Sequence, residues 1–169
     1  MANEKALQLL EDFLNELPES HREMFGEIAR CAIALGYAPK KTKSKDFVLD
    51  FTKNRVKRTI LKMEVHDNAK PANPPGLRLK FFASSEYSDP FQRGIQRVIE
   101  EFGGKYTGCY GCGRCKGASE GYTFTYPDGR KVFRCGHELI AVHGLGGEHV
   151  PEIVELLKKQ DAFFMAQVS

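Results

Sequence analysis

The chain lacks tryptophan, and it lacks any run approaching the roughly 20 consecutive apolar residues of a bilayer-spanning helix, so no transmembrane segment is expected. No secretory leader is expected either: MANEKALQLLEDFLNEL opens acidic and amphipathic rather than basic and then continuously apolar. Without leader or span, the expected compartment is the cytoplasm, where cysteines stay reduced and serve metals or catalysis more often than disulfides. Charge of one sign is not in excess. The 25 Lys and Arg stand against 22 Asp and Glu, and a net +3 points bulk charge at no class of partner. There is no internal repeat and no low-complexity tract. No serine sits in a nucleophile elbow and no His-Glu-x-x-His occurs. The glycine-rich stretch from His143 to His149 has the spacing of neither a P-loop nor a dinucleotide fingerprint, and reads as a turn before a helix. Glu100, Glu101, Glu152 and Glu155 fall on polar helix faces, where solvation accounts for them. The sequence therefore carries no positive sign of an enzyme.

What is present is enough for a core. The 169 residues include 12 Phe, and a chain of this length can fold as a single domain without staples. Leu7, Leu10, Leu14 and Leu17 predict a helix over 4–17 that Pro18 follows, and Ser20 with Glu23 has capping-box spacing for a second. Gly36 suits the left-handed end of that helix. Apolar residues alternate in 46–52, 59–66 and 77–83, the period of half-buried strands. Asp89-Pro90 opens a third helix with its stripe at Phe91, Ile95, Val98, Ile99 and Phe102. A strand over 138–143 and a helix over 151–165 close the chain. Connections this short exclude helical crossovers. The expected fold is α+β: an antiparallel sheet with helices packed on one face, plus a metal-held β-hairpin. Within a single domain of 1–169, residues 1–104 form the helix–sheet core, 105–143 a cysteine-rich segment, and 144–169 a C-terminal helix.

Four of the five cysteines crowd into one stretch: Cys109-Tyr-Gly-Cys112-Gly-Arg-Cys115, then Cys135-Gly-His137. Between them, Tyr122, Phe124 and Tyr126 alternate, with Val132 and Arg134 expected on the opposite side, and Pro127-Asp-Gly129 marks a turn. Such a hairpin returns Cys135 to the other three, giving the four thiolates of tetrahedral zinc. Glycines 111, 113 and 136 suit a loop that aims backbone N–H groups at sulfur. Locally, Cys-x-x-Cys-Gly resembles a zinc knuckle, and the paired turns resemble a zinc ribbon. The resemblance covers about thirty residues and implies metal binding alone. A ribbon has two ligands on each turn, whereas the split here is three and one unless His137 replaces a cysteine; on a strand, residues 135 and 137 would point the same way. The run at 109–115 also resembles the Cys-x-x-Cys-x-x-Cys of bacterial ferredoxins, which makes an iron–sulfur cluster the alternative. A thiol-redox pair lacks its βαβ context. Cys31, among Ala and Ile, reads as a core residue.

Residues 40–62 hold nine Lys or Arg against Asp46 and Asp50, a local charge of +7. Strand alternation sets Arg58, Lys62, Arg78 and Lys80 on the polar side of the sheet. Asp50 and Glu64 share that side, so cross-strand ion pairs are expected to offset part of the charge. A solvated sheet face explains this pattern, and a nucleic-acid-binding face is the rival reading. The functional expectation is a zinc-binding module with an unassigned ligand or protein partner. An iron–sulfur redox protein and a nucleic-acid-binding accessory protein are the alternatives.

Overall fold

The computed structural model describes residues 2–67, 74–101, 120–137 and 139–168. Helices α1 (Ala2–Asn15) and α2 (Glu19–Ala34) lead into strands β1 (Ala38–Lys41), β2 (Val48–Lys53), β3 (Arg58–Glu64) and β4 (Gly76–Leu79). Helix α3 (Asp89–Glu100), the hairpin β5 (Gly121–Thr125) and β6 (Lys131–Cys135), the short strand β7 (Ile140–Ala141) and helix α4 (Val150–Val168) complete the order. The protein is α+β, as the patterning predicts. Among the described residues no helix is long and apolar enough to cross a membrane.

Leu10, Phe13 and Leu14 bury the stripe of α1 and Leu17 is buried just beyond its end, while Leu7 stays on the surface. The capping box does not form. Pro18 occupies the N-cap position of α2, and Ser20 instead meets the His21 ring at 3.1 Å. Gly36 takes φ +100° at the end of α2, where a side chain would be strained.

The main sheet runs β1-β2-β3-β4-β7, every pair antiparallel. Strand β1 has no alternating pattern to announce it. Its Ala-Pro-Lys-Lys buries only Pro39, and an edge tolerates both proline and exposed lysine. On one side of the sheet Leu49, Phe51, Leu61, Met63, Leu77 and Leu79 pack with α1, α2 and α4 into a single core. The other side carries Asp50, Lys62 and Arg78, in register across three strands. A bulge between Phe51 and Thr52 breaks the simple alternation. Arg58 consequently pairs with Lys53 and sets its guanidinium 5.7 Å from the Phe164 ring of α4, rather than simply joining the polar side.

The hairpin is tied into this core. Tyr122 is 1% exposed, its hydroxyl accepts from the Phe81 backbone N–H at 3.2 Å, and its ring meets Phe81 and Phe82 edge-on. Tyr122 stands opposite Arg134, and Phe124 opposite Val132. Cross-strand partners share a face, so these four lie on the same side and not on opposite sides as alternation along each strand had suggested. Arg134, 1% exposed, donates to the Val98 carbonyl at 2.8 Å and thereby caps the last turn of α3.

Candidate functional site

Cysteines 109, 112 and 115 lie outside the described residues, and only Cys135 of the expected ligand set is placed. It is the last residue of β6, directly opposite Gly121, the first residue of β5. The chain turns immediately after it. The His137 backbone N–H donates to Cys135 Sγ at 3.4 Å, and the Gly136 N–H donates to the Glu120 carbonyl at 2.8 Å. A Cβ on Gly136 would stand 2.7 Å from the Phe82 ring and 2.8 Å from that carbonyl, so only glycine lets the turn close. Gly121 is equally confined, because its Cβ would collide with the Arg134 carbonyl. Neither Cys135 nor Cys31 is in a disulfide.

Cys115 precedes Gly121 by six positions, a span of about 20 Å at full extension, so chain length alone permits it to reach Cys135. Among the described residues no group of three or more His, Cys, Asp or Glu is gathered as a metal needs. His137 is in the turn beyond the strand, and residues 135 and 137 are therefore not two positions of one strand. Cys31 is half-buried on α2, and burial pushes its thiol pKa up, as suits an unreactive packing residue.

His137 and Leu139 border the polar side of the sheet, where a depression of about 220 Å³ is lined by Asp50, Lys57, Arg58, Thr59, Lys62 and Lys80. A shallower hollow of about 640 Å³ adjoins it across Glu64 and Arg78. The expected ion pairs are present: Lys62 Nζ is 3.5 Å from Asp50, and Arg78 Nε is 2.7 Å from Glu64. Lys80, the residue just after β4, is only 4% exposed. Lys57 adopts φ +54°, alone among non-glycine described residues in having positive φ.

A second polar cluster went unread in the sequence. Asp67, 2% exposed, meets His143 Nε2 at 3.0 Å and lies 3.9 Å from Arg78. His143 also lines a hollow of about 220 Å³ with Met24, Phe25 and Leu77. The partners are 76 positions apart, and no local motif signals them. His149 accepts from the Gly146 N–H at 3.0 Å and so serves the turn before α4.

No protein-family model matches the chain, and no curated protein or solved structure matches it.

Proposed function

We propose that the chain is a cytoplasmic binding module in which one zinc ion, held by Cys109, Cys112, Cys115 and Cys135, fastens the segment before β5 to the end of the hairpin. The observation that carries this reading is the Cys135 turn: a backbone N–H aimed at the sulfur, a glycine that nothing larger can replace, and a position opposite the start of β5. A thiolate ligand gains from such donors, which offset its charge. Four thiolates leave no coordination position for water, so the ion has a structural role and binding is left to the rest of the surface. The polar side of the sheet, which His137 borders, is the surface best suited to that task.

Metal content of the purified protein tests the reading. The expected result is about one zinc per chain with zinc–sulfur distances near 2.3 Å. An iron–sulfur cluster, the alternative four-thiolate group, declares itself by visible absorption and by iron in place of zinc. Protein that binds neither metal overturns both.

A further inference from the structure

The depression between β2, β3 and β4 has a charge balance unlike that of the chain. Its described lining holds Lys57, Lys62 and Lys80 against one carboxylate (Asp50), a formal +2 around about 220 Å³, while Arg58 lines it but turns its guanidinium to the Phe164 ring of α4. Lys80 is almost wholly enclosed, and Asp50 stands 3.5 Å from the Lys62 ammonium, which orients that side chain along the sheet. Thr59, also in the lining, is hydrogen-bonded to Thr52 at 2.9 Å, which pins the β2–β3 pairing there.

Lys57 adds an independent observation. The turn between β2 and β3 closes with the Lys57 N–H on the Lys53 carbonyl at 2.9 Å and holds Lys57 in the left-handed region. Glycine would occupy that conformation without strain, yet the chain sets a lysine there, exposed and on the rim of the depression. Backbone strain retained at the edge of a cleft marks a residue kept for what its side chain does.

We infer that this depression binds a soluble small molecule bearing a phosphoryl group, with Lys57, Lys62 and Lys80 as its cationic contacts. Lysines grouped along one depression suit a compact, multiply charged anion. A nucleic acid fits less well. Single strands gain much of their affinity by stacking bases on aromatic side chains, and the described lining contains no Phe, Tyr or Trp, only the His137 ring at its border. The inference deepens the binding-module reading but needs nothing from the metal, because the cationic residues belong to β2–β4 and their connections. Metal content measured on the same samples keeps the two questions apart.

Isothermal calorimetry with inorganic pyrophosphate as the probe tests it on the full-length protein as purified. The expected result is one site per chain, with a dissociation constant on the order of 100 µM or tighter. Lys62→Gln should weaken binding about tenfold or more, since it removes a cation held over the cleft. Lys57→Gly should weaken it several-fold while melting at the same temperature as the parent or higher, so lost binding cannot be ascribed to lost fold. No binding at millimolar pyrophosphate overturns the inference, and so do variants that bind as the parent does. It is overturned equally if a single strand of about 20 nucleotides binds with steep salt dependence and pyrophosphate fails to displace it.

Discussion

Tyr37 donates its hydroxyl hydrogen bond to Asp161 at 2.9 Å, joining residues 124 positions apart. Lys53 reaches the same carboxylate oxygen at 2.9 Å and also the Leu35 carbonyl at 2.8 Å. One carboxylate of α4 thus ties together the end of α2 and strand β2.

Because Tyr37 is fully buried, losing its hydroxyl has a definite cost. Tyr37→Phe should lower stability by about 1 kcal/mol, since Asp161 keeps Lys53 as a partner and only one hydrogen bond goes. The variant also has a pH signature. Burial first, then the hydrogen bond to Asp161 and its charge, hold the Tyr37 pKa far above its ordinary 10.0. The native state therefore keeps a proton that the unfolded chain gives up, so stability is complete below about pH 10 and declines as pH rises beyond it. Urea midpoints at about pH 9 and about pH 11 should separate more widely for the parent than for Tyr37→Phe. Tyr87, also raised by burial, retains part of the slope.

Arg134 predicts a larger loss. It is enclosed between the hairpin and α3, with its guanidinium on the Val98 carbonyl and 3.9 Å from Glu101. Arg134→Ala should cost about 3 kcal/mol, because it leaves a cavity and removes the partner of a helix-terminal carbonyl. Thermal denaturation gives the size of the effect. Hydrogen exchange should place the loosening in β5, β6 and the last turn of α3; loosening centred on α1 would contradict this assignment.

Much of the fold was legible because it is periodic. Leu49 and Phe51, Leu61 and Met63, and Leu77 and Leu79 alternate in sequence and share the buried face of the sheet. Strand β1 was not legible, since an edge of Ala, Pro and two Lys buries too little to leave a pattern. The Arg58 error came from the bulge: Phe51 pairs with Leu61 and Thr52 with Thr59, so Ile60 is the extra residue and the side chains of Thr59 and Arg58 before it are reversed, and nothing local announces it. Asp67–His143 and Tyr37–Asp161 were invisible because their partners are distant in sequence. Of the candidate metal site, spacing and glycines carried the expectation. Of the expected ligands only Cys135 is among the described residues, at the end of a β5–β6 hairpin that the Pro127-Asp-Gly129 turn signal made legible.

Gly136→Ala should disturb the turn sharply. The new methyl would meet the Phe82 ring and the Glu120 carbonyl inside contact distance, and neither yields cheaply: one is packed among Tyr122, Phe163 and Phe164, the other is backbone. The expected cost is about 2 kcal/mol or more. If Cys135 is a zinc ligand, competition with a chromophoric chelator should also show weaker zinc retention. Unchanged retention alongside lower stability would detach the turn from the metal.

If the four cysteines hold zinc as proposed, its removal should act on a narrower part of the chain than the cysteine spacing suggests. By sequence alone, everything from 105 to 143 belongs to the metal. The structure gives the hairpin its own anchors: Tyr122 in the aromatic cluster, its hydroxyl on the Phe81 backbone, and Arg134 on the end of α3. Chelation of the protein, or Cys112→Ser, should therefore speed hydrogen exchange between 102 and 119 and leave the amides of β5 and β6 protected near parent levels. The main sheet should keep its melting behaviour, since local opening of one segment need not propagate into a core with separate apolar contacts. Exchange spreading through β5 and β6 would mean that the metal, not Tyr122 and Arg134, holds the hairpin. Cooperative loss of the whole fold would mean that the ion is part of the core's stability, as in small zinc domains that unfold without it.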